Sequence, residues 1–243
     1  MCKAADTSVP VGDGKIPPSL RIHVPDHPAA WEALAKAEEK LPAAILNHSF
    51  RTYIYAKAFL NTQQADRPLI DGLKTNYLSP VRPFFIPLEA LFVACIYHDL
   101  GTSTDYDETP VRFEIDGADE IALVLRKHGL DESVIYDSWL ASALHDTPGV
   151  PDRLGGSIRA VRLGIRADFG GEPPAANVLP DGISSREDLN AALPRLDIEK
   201  VLGDAVVRAG LTNAHKSPGG TWPGEMVRSR RENPDWTGVN KRF

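Results

Sequence analysis

Apolar residues recur along this chain with the spacing of a helix, about every third or fourth position, and strand-like alternation is hard to find anywhere. Proline lacks the amide hydrogen and breaks helix interiors, so its distribution cuts this pattern into segments. The stretches 43–67, 88–109, 111–147, 152–172 and 195–217 are free of it, Pro194 and Pro218 flanking the last. Ile45, Tyr55 and Phe59 share a stripe in the first. Leu88, Leu91, Phe92, Cys95 and Ile96 form one in the second. In the third, Ala118, Ile121 and Leu125 line up, Gly129 is a stop signal, and Asp131-Glu132-Ser133 opens a further helix carrying Ile135 and Trp139. Leu154, Ile158, Val161 and Ile165 repeat regularly, as do Ile198, Val201, Leu202, Ala205, Val206 and Ala209. The pattern predicts an all-α bundle with proline-rich connections. Its boundaries are an N-terminal arm over 1–30, a helical domain over 31–212 and an irregular C-terminal strap over 213–243.

Composition adds little that is unusual except proline. The 243 residues are 42% apolar and 25% charged, with a net charge of −6. That is the balance of a globular chain, far from the charge-rich, apolar-poor regime of disorder. The slight acidity argues against a broad nucleic-acid-binding face. The 20 prolines, about 8% against a usual ~5%, fall mostly between the helical segments. Cys2 and Cys95 are far apart, so no disulfide framework is expected, and Cys95 reads as a small buried hydrophobe. The first residues lack the apolar core of a signal peptide, and no stretch approaches a membrane span. The expectation is a cytoplasmic protein acting on a small molecule, with neither nucleic acid nor membrane as partner.

Four polar residues stand where these stripes call for apolar ones. His48 lies with Ile45, Tyr55 and Phe59. His98-Asp99 ends a strongly apolar helix, and Asp168 continues the stripe through Ile165. A carboxylate withdrawn from water costs several kcal/mol unless it is paired or binds a metal. Two imidazoles and two carboxylates converging from three helices are a usual way for a bundle to build a metal site. Taken singly, each has a plainer reading: a satisfied core histidine, a cap at Asp99, or a C-terminal turn at Asp168.

The order His48, His98-Asp99, Asp168 resembles the HD superfamily of metal-dependent phosphohydrolases and their relatives. The surrounding words are similar to the branch that contains fungal cyanamide hydratase. They are Asn47-His48-Ser49-Phe50-Arg51, His98-Asp99-Leu100-Gly101-Thr102, Phe113-Glu114-Ile115-Asp116-Gly117-Ala118, Ala143-Leu144-His145-Asp146 and Ala167-Asp168-Phe169-Gly170, across roughly residues 40–172. The resemblance implies an HD-domain helical bundle and one divalent metal held by His48, His98, Asp99 and Asp168. Zinc is the first candidate, with iron or manganese as alternatives, because a mixed nitrogen and oxygen ligand set suits all three.

A metal-activated hydroxide adding to the nitrile of cyanamide would give urea, and the enzyme would be a hydro-lyase with no leaving group. Such a site needs a proton relay, for which His145 is the candidate, with Glu114 as proton acceptor or supporting partner. The plainer readings are an exposed helix-end histidine and a first-turn glutamate favouring the helix dipole. Thr102 and Arg51 are candidates for contacting substrate. The alternative activity is hydrolysis of a small phosphomonoester or nucleotide. That would need cations such as Arg51 or Arg166, although Arg166 lies roughly 200° around the helix from Asp168. His128 sits in a basic last turn and is better explained by the helix dipole than as a ligand. The tail holds Trp222, Trp236 and Phe243, which either strap onto the bundle or form a homo-oligomer contact.

Overall fold

The computed structural model describes residues 15–62, 87–180 and 182–236, and every regular element among them is helical. The first part of the N-terminal arm, the end of the first proline-poor stretch, Cys2 and Phe243 lie outside the described residues. Ten α-helices follow one another: α1 Pro18–Arg21, α2 Pro28–Lys40, α3 Ala43–Asn61, α4 Leu88–Tyr97, α5 Phe113–Lys127, α6 Glu132–Ala143, α7 Gly156–Asp168, α8 Arg186–Ala192, α9 Ile198–Thr212 and α10 Trp222–Glu232. Short 3-10 turns at Leu100–Thr102, Thr104–Tyr106, Pro151–Arg153, Ala176–Val178 and Ala214–Lys216 join several of them. No helix among the described residues is long and apolar enough to cross a membrane.

Proline does more here than end helices. Pro18 and Pro28 occupy first-turn positions, and Pro42 and Pro87 stand at the N-caps of α3 and α4. The fixed φ and missing donor of proline suit the first turn of a helix, where the amide would be unpaired anyway. Pro28 therefore starts α2, a helix hidden from a reading based on proline-free stretches. Its Ala29, Ala30, Ala33, Leu34 and Ala37 are all buried. Ile16, Leu20 and Val24 also join the core, so the described part of the N-terminal arm is packed rather than loose. A second difference lies at the other end. The segment expected to be irregular forms α10, which packs on α9 and buries Met226 and Val227.

α3 runs through the middle of the bundle and is buried along most of its length. Its most extensive partner is α7, while α4 packs against α2, α3 and α6, and α5 lies along α6. Gly164 permits the close approach of α7 to α3, since a Cβ there would stand 2.5 Å from the Thr52 carbonyl oxygen. The helix expected over 88–109 stops at Tyr97. Beyond it His98 and Asp99 turn the chain into two 3-10 turns, and Gly101 sits against the Phe113 backbone where a Cβ would collide. Gly129 ends α5 with φ of 75°, and Asp131 precedes α6, as the sequence pattern predicts.

Candidate metal centre

The break after Tyr97 turns His98 and Asp99 back into the bundle, towards His48 on the facing side of α3. All three are almost fully buried. Nε2 of His48 lies 3.2 Å from Nε2 of His98, and Asp99 Oδ2 lies 3.6 Å from the first and 3.1 Å from the second. These three residues form a group whose ligating atoms can hold one metal ion.

The hydrogen bonds on the far side of each ring settle the tautomers. His98 Nδ1 is 2.7 Å from the Cys95 carbonyl oxygen, and His145 Nδ1 is 2.6 Å from that of Ser142. A carbonyl only accepts, so both Nδ1 atoms carry a hydrogen. His48 Nδ1 likewise donates to Asp168 Oδ2 at 2.7 Å. With the hydrogen on Nδ1, each ring when neutral directs an Nε2 lone pair inward. Two such lone pairs 3.2 Å apart repel unless a metal ion or a proton lies between them. Asp99 Oδ2 has no hydrogen-bond partner despite its burial. The donor set therefore fits a divalent cation, with its second nitrogens held from behind as metal-binding histidines usually are.

Electrostatics keep the carboxylate of the group charged, as a metal ligand must be. Burial would push the Asp99 carboxyl up, but the His98 ring 3.1 Å away prevails, followed by His48 and His145, and it is held well below the usual carboxylate range. Burial likewise opposes charge on His98, yet Asp99 raises it. At His48 burial prevails over Asp168 and the value falls. Burial, aided by the His98 charge, pushes His145 down to about 4, so its imidazole is neutral at pH 7.

Several expected roles change. Asp168, expected as a fourth ligand, sits behind His48. Its Oδ1 accepts from Arg51 Nε at 2.6 Å, and its Oδ2 accepts from Arg51 Nη2 at 2.8 Å and from His48. Arg51, expected to contact substrate, is fully buried and committed to Asp168 and the Leu193 carbonyl. The reason is its place one turn after His48 on α3, where it meets α7 rather than the pocket. Thr102 does not line the pocket either: its hydroxyl donates to the Asp99 carbonyl at 2.7 Å and closes the turn. Glu114, expected as a catalytic group, is fully buried behind Asp146 and outside the pocket wall. His128 bonds Glu32 and takes no part.

His145 does face the site. Its ring stands 4.9 Å from that of His98, and its Nε2 is 3.7 Å from Asp99 Oδ1. A pocket of about 40 Å³ opens here, walled by His48, His98, Asp99 and His145. Asp146, Arg162, Ile165, Arg166, Phe169, Leu202 and Trp222 complete it. Arg166 lies on the pocket side of α7 while Asp168 faces α3, so the expected angular separation between the two holds, and it is the arginine that faces the pocket. Asp146 was legible as the neighbour of His145. Trp222 stood out only as a tail aromatic, and nothing in the stripes distinguished Arg162. Comparison with protein-family models and with curated proteins finds no match to this chain.

Proposed function

We propose that the chain is a metal-dependent hydratase of the HD superfamily, resembling cyanamide hydratase, which adds water to the nitrile of a small neutral substrate. The observation that carries the reading is the convergence of His48 Nε2, His98 Nε2 and the unpartnered Asp99 Oδ2 beneath a pocket of about 40 Å³. That volume holds on the order of three waters, a scale suited to a molecule as small as cyanamide. His48, His98 and Asp99 would hold a divalent ion, zinc first, with Asp168 fixing the ring of His48. A bound divalent ion supplies a nucleophile by lowering the pKa of water towards neutrality. His145 Nε2, neutral at pH 7, would accept the proton that water gives up. Phe169, Ile165, Leu202 and Trp222 supply the apolar part of the pocket wall.

The test is metal content measured beside urea release from cyanamide. His48→Ala and Asp99→Asn should lose both, and full metal stoichiometry in either variant would contradict the ligand assignment. Hydrolysis of a small phosphomonoester is the second reading, favoured by Arg162 and Arg166 in the pocket wall. Phosphate released from a nucleoside monophosphate, with no urea from cyanamide, would select it.

A further inference from the structure

Directly after His145, the chain places a second buried carboxyl pair outside the metal group. Glu114, in the first turn of α5, is wholly inaccessible, and neither of its oxygens takes a hydrogen bond from a donor on another residue. Asp146 is 4% exposed, its two oxygens are equally unpartnered, and it forms part of the pocket wall. The two carboxyls lie within hydrogen-bonding reach of each other. Two carboxylates can only accept, so adjacent buried ones are orphaned unless a proton lies between them. Arg112 Nη1 stands 3.4 Å from Glu114 Oε1, and the Arg162 guanidinium acts on Asp146. Neither makes a hydrogen bond to the pair.

We propose that Glu114 and Asp146 share one proton and that Asp146, at the pocket wall, delivers it to the substrate nitrogen; the delivery step rests on the hydratase reading. Burial, and then the charge of Asp146, push Glu114 well above the ordinary glutamate range, in keeping with a retained proton. The proton balance closes. Water forms a bond to the nitrile carbon and loses one proton to His145 Nε2. One carbon–nitrogen π bond opens, and the nitrogen takes the proton from Asp146, giving the isourea. That product becomes urea by moving its hydroxyl proton to nitrogen. The proton on His145 then restores the pair. Asp146 is the catalytic group in this scheme, and Glu114 is a positioning residue that acts through it.

Infrared spectroscopy of the metal-loaded protein at neutral pH tests the shared proton without turnover. The expected result is a protonated-carboxyl carbonyl band that shifts in D2O. It should vanish in E114Q, which keeps a donor to Asp146 but holds no acidic proton, and move in frequency in D146N. Absence of the band from the unaltered protein, or its survival in E114Q, overturns the shared proton. With metal content and circular dichroism unchanged, D146N and E114Q should lose kcat by about 10²-fold or more while KM stays put, the usual contribution of a general acid. A kcat within twofold of the parent in D146N overturns delivery. If the unaltered protein releases no urea while the band behaves as expected, delivery falls together with the hydratase reading, and the shared proton stands.

Discussion

Asp168 shows how a single buried charge can be assigned by its neighbours. Its carboxylate takes two bonds from Arg51 and one from His48, and Arg195 adds a charge at 3.4 Å. Removing one member of a buried ion pair leaves the other uncompensated and typically costs about 3–5 kcal/mol. Arg51→Met should therefore lower unfolding stability by about that amount in urea titration. Burial would raise the Asp168 pKa, but the bonds from Arg51 and His48 outweigh it and depress it. A depressed native pKa contributes stability that is complete above the unfolded value of about 3.9 and drains away as pH falls below it. The parent protein should lose stability from about pH 4 downwards, and the R51M variant should show a shallower acid limb. Equal acid limbs would mean that Arg51 is not what holds Asp168 charged. Asp168→Asn should keep a detectable metal site but weaken it, by about 10–100-fold, the usual effect of losing a partner behind a metal-binding histidine. Equilibrium dialysis against the metal measures this.

Between helices, the α3–α7 contact sets the precision of the site, since His48 and its partner Asp168 sit on opposite sides of it. Gly164 is a point of close approach. A methyl group there would meet the Thr52 carbonyl at 2.5 Å and the Ala56 amide nitrogen at 3.2 Å. Both are backbone atoms and cannot rotate away, so Gly164→Ala must separate the helices. Overpacking of this kind costs about 1–3 kcal/mol, and the displacement should loosen metal binding as well. Unchanged Tm and metal affinity would show that the helices can slide without loss. This contact also marks how far the sequence could be read. A stripe shows which face of a helix is buried, and on that basis His48, His98, Asp99 and Asp168 stand out as polar residues in apolar company. It does not show which helix lies opposite, so it conceals the pairing of Arg51 with Asp168, which sets that carboxylate behind His48. Proline positions located α3, α5, α6, α7 and α9, because those helices lie in long proline-poor stretches. They concealed α2 and α10, whose prolines stand in the first turn, where proline favours a helix. α10 was obscured further by its charged Arg228, Arg230, Arg231 and Glu232, which leave only a short apolar face.

The C-terminal third of the described chain packs over the His48, His98 and Asp99 group and its pocket. Arg208 on α9 bonds the Thr102 carbonyl and both oxygens of Asp107, and Asn213 reaches the Thr109 carbonyl. Lys216, almost fully buried, bonds Asp116 and Thr109. The loop that follows His98-Asp99 is thereby tied to residues more than a hundred positions later, an arrangement that no local pattern encodes. Trp222 extends the closure into the site: it packs edge-on against Phe113 at 5.9 Å and forms one wall of the pocket. A wall this large keeps the cavity small, and under the hydratase reading it sets the upper limit on substrate size. Trp222→Ala should leave His48, His98 and Asp99 in place, so metal content and the kcat for cyanamide should change little. Its effect should fall on binding, since a methylene-sized misfit in an apolar pocket is worth about 1–3 kcal/mol. The KM for cyanamide should rise by about tenfold or more, while nitriles with an added alkyl group, poor substrates for the parent, gain kcat/KM. If the variant instead keeps its KM and still rejects the larger nitriles, the aromatic wall is not what selects the substrate, and the discrimination must come from the α7 side, where Arg162 and Arg166 face the same cavity.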